Sequence, residues 1–185
     1  VEVNVQAISE AELNRLEDLR KQVNQALNLM IEKELGNGAG EVAELAGEML
    51  LSGGKRLRPL LAIIAYEVAG GKNIEEIMSF EFIHTATLVH DDINDAAKQR
   101  RGITTLHERA GQAKAIIAGD WLFVHGFGLG GLYTKSIIDL VTNCCANIAI
   151  SEFMQLVHVL NLSTSPEDSL QLVRGKTAGP FAAGC

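Results

Sequence analysis

The sequence predicts an all-α fold, a compact helical bundle, and three observations carry that prediction. Apolar residues recur at steps of three and four almost throughout, as in Leu13, Leu16, Leu19, Val23, Leu27 and Met30. Strand-like alternation is never sustained, and the periodic stretches are separated by short glycine-rich or capping segments. The apolar positions cover more than one narrow stripe, which fits a globular bundle better than an extended coiled coil.

The periodicity places helices at 9–35, 39–51, 57–69, 74–97, 112–129, 136–160 and from Pro166 onward. "GNGAG" after Leu35 and "SGG" after Leu51 supply residues that tolerate positive φ at the first two helix ends. The third helix opens at "GGKRLRP", and the fourth is strongly apolar up to "FIHTATLV" before turning acidic. In "STSPED", Ser165 is placed to cap, Pro166 suits the first helical position, and Glu167 and Asp168 complement the positive helix terminus. Pro180, in "TAGPF", falls where that last helix should continue and is expected to interrupt its hydrogen bonding.

The 185 residues suffice for one domain with a substantial core, and no repeat, low-complexity tract or linker divides 1–185. Sixteen basic and twenty-three acidic residues give a net charge of −7, which argues against nucleic acid or an anionic membrane as partner. The start, "VEVNVQAISEAELNRLEDLR", lacks the basic and apolar regions of a signal peptide, and no apolar run suggests an integral membrane segment, so a cytoplasmic protein is expected. Cys144, Cys145 and Cys185 form neither a disulfide framework nor a zinc spacing, and are expected to be buried thiols.

On a helical wheel started at His84, Leu88 falls near 40°, Asp91 near −20° and Asp95 near 20°, with Asp92 flanking them. Two carboxylates one turn apart with a third beside them suit Mg²⁺ held through few protein ligands and bridging substrate phosphates. Alone, such a motif is more often a solvated acidic face. Here the apolar stretch before it puts the carboxylates on a cleft-lining helix, where unpaired charge is costly. A metal-dependent phosphohydrolase centre from His84, His90 and Asp91 is disfavoured, because His90 lies near 240° on the wheel.

Lys55, Arg56 and Arg58 precede Pro59 at a helix start, which suits a diphosphate seat and equally a surface basic patch. Arg100 and Arg101 fit either anion binding or the C-terminal dipole of the acidic helix. Lys176 and Thr177, in "RGKTAG", read by themselves as exposed helix residues. Together, however, carboxylates that gather Mg²⁺ and bases that gather phosphate suit a substrate whose diphosphate departs.

Six segments in this order, "GGKRLRP", "EFIHTATLVHDDIND", "RRGITTLH", "AGDWLF", "EFMQL" and "GKTA", resemble the trans-isoprenyl diphosphate synthases of the polyprenyl synthetase family, nearest to the long-chain enzymes. The resemblance spans nearly the whole chain. It implies the isoprenoid-synthase bundle, a homodimer, and Mg²⁺-dependent condensation of isopentenyl diphosphate with an allylic prenyl diphosphate. By matching motif, Asp91, Asp92 and Asp95 would bind the metal, and Arg100 and Lys176 the allylic diphosphate. Lys55, Arg58, His84 and Arg101 would seat isopentenyl diphosphate, with Thr177 and Gln155 at the reacting groups. Phe82, Leu88, Phe123 and Phe127 would wall a dry cavity that protects a carbocation from water.

The small residues Ala86 and Thr87, five and four positions before the first aspartate, imply a product of C20 or longer, with Phe127 or Trp121 as a deeper floor. The family's second aspartate-rich motif is not found, so the chain is expected to be the N-terminal part of such a synthase and inactive alone. Two alternatives stay open: a non-catalytic regulatory subunit, and a class I terpene cyclase. Lys55, Arg58 and Arg101 speak against the cyclase, which has no isopentenyl diphosphate to seat.

Overall fold

A computed structural model describes residues 9–71, 76–131 and 133–185. The expected helical start at Ile74 lies outside the described residues. α1 (Glu10–Gly36) begins with a reciprocal cap, in which Ser9 accepts from the Glu12 amide and the Glu12 carboxylate accepts from Ser9. It buries Leu19, Val23, Leu27 and Ile31 along one stripe, while Leu13 stays exposed. α2 (Glu41–Leu51) and α3 (Leu57–Val68) follow close to their expected bounds.

α4 (Ser79–Asn94), preceded by a 3₁₀ turn at Glu76–Met78, is the central helix. Its Phe82, Ala86 and Val89 are fully or almost fully buried in one core with Leu50 of α2 and with Ala115, Ala118 and Leu122 of α6 (Gln112–Gly130). Gly126 on the α6 side lets the two helices approach closely, since a Cβ there would stand 3.2 Å from the Ser79 carbonyl oxygen, and this pair forms the floor on which the site stands.

Two features were invisible to periodicity. A hairpin pairs β1 (Gln99–Arg100) with β2 (Ile103–Thr104), and the five-residue α5 (Leu106–Ala110) follows. Arg101 and Gly102, at φ 53° and 82°, make the two-residue connection with positive φ at both positions that such hairpins favour.

The buried centre also holds an ion pair. Arg56, the left-handed residue that caps α3 (φ 52°), turns inward. Its guanidinium pairs with Glu81 at 2.5 Å and donates to Asn24 Oδ1 at 3.0 Å and to the Leu50 carbonyl at 2.8 Å. Of the three bases in "GGKRLRP", the middle one therefore ties α1, α2 and α4 together at the root of α3 and is withdrawn from any anion seat.

α7 (Lys135–His158) packs on α8 (Pro166–Val173), on a π-helical segment at Arg174–Ala178 and on α9 (Gly179–Gly184), which in turn rests on α3. Ser165 and Asp168 form the expected cap before Pro166. Pro180 does not end the helix. The chain widens into π geometry just before it, with the Gly179 amide donating back to the Arg174 carbonyl, and Pro180 then sits in the first turn of α9 where its missing N–H costs nothing. Contrary to expectation, α7 is long and apolar enough to cross a membrane by length and composition, with mean hydropathy 1.3. One such helix is weak evidence for a span, and Glu152 and Gln155 on it belong to the cluster described next.

Candidate functional site

The last turn of α4 presents Asp91 and Asp92, both buried, while Asp95 is exposed as the helix C-cap. Each buried aspartate meets one base from another element. Asp92 Oδ1 accepts from Arg100 Nε at 2.7 Å, and the hairpin that carries Arg100 is tied down by Thr105 Oγ1 donating to the Ala97 carbonyl at 2.6 Å. Asp92 Oδ2 is buried without a protein partner. Burial, and then the charge of Glu152, raise the Asp91 pKa, and Lys176 Nζ at 3.5 Å only partly opposes them. Among the described residues no three His, Cys, Asp or Glu side chains converge on one point. On the wheel Asp91 and Asp95 shared a stripe that Asp92 flanked, and in the fold Lys176 and Arg100 draw the two buried aspartates, Asp91 and Asp92, to separate partners. What remains is hard oxygen donors with one buried oxygen unpaired, a set that fits Mg²⁺, an ion which takes one or two carboxylates and completes its shell with water and phosphate.

Lys176 reaches this position because the π segment lies directly on α7. A Cβ at Gly175 would stand 1.9 Å from Ser151 Oγ, so only glycine permits the contact. The Lys176 ammonium then pairs with Glu152, donates to Gln155 Oε1 at 3.2 Å and faces Asp91. Burial lowers its pKa, but the Glu152 hydrogen bond and the two carboxylate charges outweigh burial, and the net shift is upward. It is a cation at neutral pH.

The second cluster stands two helical turns back along α4. Arg58 Nη1 donates to His84 Nε2 at 2.9 Å, which leaves the ring proton of a neutral imidazole on Nδ1. Burial, followed by the charges of Arg58, Arg101, Arg100 and Arg56, pushes the His84 pKa down to about 3, so the ring is neutral. The Arg58 guanidinium also lies over the Phe181 ring, 4.9 Å from its centroid. Arg101 donates to the Gly53 carbonyl, and Gly54, at φ 134°, makes room for it: a Cβ there would be 2.6 Å from Arg101 Nη1. The first and third motifs thus meet. Lys55 is exposed beside them.

These groups surround two cavities between α4 and α7. One, of about 140 Å³, is lined by Arg58, His84, Lys176 and Thr177 at its polar end and by Phe80, Ile83 and Leu88 elsewhere. The other, of about 320 Å³, is bounded by Phe123, Phe153 and Leu156. Thr87, Asp91, Cys145, Ile148 and Glu152 line both. A third hollow, of about 200 Å³, holds Phe127 and shares Val141 with the first.

Of the residues expected at the site, Asp91, Arg58, His84, Lys176 and Thr177 line one cavity, Gln155 joins them through Lys176, and Asp92 with Arg100, and Arg101 on the Gly53 carbonyl, stand beside them. Ala86 does not face a described cavity. It is fully buried in the α4 core, and its neighbour Thr87 faces both cavities instead. Phe82 is likewise core, while Leu88 and Phe123 are walls. Of the three cysteines expected to be buried, Cys185 is exposed and Cys144 and Cys145 are half-buried cavity walls, where burial raises both thiol pKa values, that of Cys145 to about 11. The residue missed from sequence is Glu152. It opens the "EFMQL" segment as a lone carboxylate in the apolar run "ANIAISEFMQLV", and that was the available signal.

The family model described as Polyprenyl synthetase matches residues 40–185. Octaprenyl diphosphate synthase of Escherichia coli (strain K12) is 29% identical over 175 residues, covering 92% of this chain and 54% of its own. Geranylgeranyl pyrophosphate synthase of Geoglobus acetivorans is 31% identical, covering 88% and 53%. Among solved structures, a decaprenyl diphosphate synthase from Rhodobacter capsulatus matches with TM-score 0.83 and 33% identity, over 92% of this chain and 54% of that one. A polyprenyl synthase from Caulobacter crescentus CB15, complexed with calcium and isoprenyl diphosphate, matches with TM-score 0.83 and 32% identity, over 92% and 53%. The chain spans about half the length of these relatives. With the family model covering most of its residues and the same helical fold in these neighbours, the chain belongs to the polyprenyl synthetase family.

Proposed function

We propose that the protein containing this chain condenses isopentenyl diphosphate with an allylic diphosphate to make a trans-prenyl diphosphate of C20 or longer. The observation that carries this reading is the pairing of two polar clusters across one cavity: Asp91 with Lys176, and Arg58 with His84, at the mouth of an apolar hollow. Arg100 and Lys176 flank the aspartates as ligands of the allylic diphosphate, and Arg58, His84, Arg101 and the exposed Lys55 seat isopentenyl diphosphate. A neutral His84 donates a hydrogen bond and adds no charge. Thr177 and Gln155 stand at the reacting end. Asp91 and Asp92 would hold Mg²⁺, which when bound stabilises the charge that develops on the departing diphosphate, and Asp95, exposed one turn on, would add to the negative charge that draws the ion. Leu88, Ile148 and Phe123 keep water from the cation.

A homodimer in the cytoplasm belongs to the same reading. The dimer is supported by α6, which leaves Ile117 and Val124 exposed at 58% and 68%. The experiment that tests the function is incorporation of labelled isopentenyl diphosphate by the protein of the full reading frame, dependent on Mg²⁺ and on an allylic co-substrate.

The cavity walls sharpen the expectation for chain length. Phe80, Ile83 and Thr87 lie along one face of α4 in the same cavity as Asp91, so a chain growing away from Asp91 passes Thr87. Thr87→Phe is expected to shift the product distribution to shorter chains. Ala86→Phe should mainly lower stability, by about 1–3 kcal/mol, because it overpacks a filled core. Chromatography of dephosphorylated products checks this, and an unchanged distribution for Thr87→Phe would place the chain elsewhere.

A further inference from the structure

We propose that Glu152 of α7 is a positioning residue of this site: its carboxylate retains the Lys176 ammonium beside Asp91 while Asp91 is given over to metal. The inference rests on the functional reading above and gives a role to a residue that opens the "EFMQL" segment but carries none in the sequence reading. Glu152 lines both cavities, its side chain is 19% exposed, and it pairs directly with Lys176.

The need for such a residue follows from the geometry. Lys176 stands on a π segment, at the end of a flexible four-carbon stem, with Asp91 at 3.5 Å and the uncharged Gln155 at 3.2 Å as its other partners. Asp91 is also a ligand in the proposed metal site. A divalent ion on Asp91 repels the ammonium and withdraws the carboxylate that held it. Glu152 supplies a second anion from a different helix, so Lys176 keeps one charged partner when it loses the other.

The test uses the protein of the full reading frame and Mg²⁺ with inorganic diphosphate as the binding probe, measured by calorimetry beside steady-state kinetics. Glu152→Gln keeps the shape and removes the charge. It is expected to weaken diphosphate binding about tenfold and to raise the KM for the allylic substrate similarly. The KM for isopentenyl diphosphate, whose seat is built on Arg58 and His84, should stay within about twofold. In a Lys176→Met background the same change should add no further loss of binding, because Glu152 acts through the lysine. Unchanged binding in Glu152→Gln, or an equal loss in both backgrounds, overturns the proposal alone if Lys176→Met is itself impaired. If Lys176→Met binds diphosphate as the wild type does, the reading of the site fails and this proposal falls with it.

Discussion

Replacing Asp91 with alanine is expected to lower prenyl transfer by the protein of the full reading frame about 10³-fold, with a much smaller effect on stability. The side chain is buried at the cavity wall, where burial and Glu152 raise its pKa and Lys176 alone opposes them. Removing it takes away a carboxylate from the proposed Mg²⁺ site and a partner from the ammonium. Both losses fall where charge develops on the departing diphosphate, so they act on the transition state more than on binding. Single-turnover rates with labelled isopentenyl diphosphate check this. A near-wild-type rate in Asp91→Ala would contradict the assigned role.

The second large effect is on folding. Arg56→Ala is expected to destabilise the protein by about 3–5 kcal/mol, because it leaves Glu81 charged and unpaired in the core. The two side chains are 2% and 4% exposed, so water cannot take the place of the lost partner. Lys55→Ala, one residue earlier and exposed, should cost less than about 0.5 kcal/mol. Replacing Arg56 and Glu81 together by apolar residues should cost less than Arg56→Ala alone, since neither charge is then stranded. Denaturant unfolding measures all three. Equal stability of the Arg56 and Lys55 variants would mean that the buried pair contributes nothing.

These expectations show which parts of the molecule were legible before its coordinates. The helices follow from a repeat that survives over ten residues or more, and the Ser165 cap from local chemistry that needs no tertiary partner. Asp91 and its distance in sequence from Arg100 and Lys176 were legible as motifs. That Asp92 takes Arg100 while Asp91 takes Lys176 was not, because it depends on how a hairpin and a π segment dock.

Arg56 and Arg58 are two residues apart in one basic run. Only the left-handed turn at Arg56, a consequence of packing, sends one inward and leaves the other at the cavity. Ala86 and Thr87 differ by about 100° on one helix, so the rotation of α4 against α6 decides which meets the growing chain. The π segment was foreshadowed by Pro180, but the sequence suggested an interruption where the chain instead widens and continues.

The most direct measurement is product formation from labelled isopentenyl diphosphate by the protein of the full reading frame, with and without Mg²⁺ and with and without an allylic diphosphate. The predicted result is prenyl diphosphates of C20 or longer, formed only when Mg²⁺ and both substrates are present. Release of hydrocarbon or alcohol from the allylic diphosphate alone, without label from isopentenyl diphosphate, would make the protein a cyclase. No product under any of these conditions would leave the two clusters as a binding site without catalysis, and either result would contradict the proposed condensation.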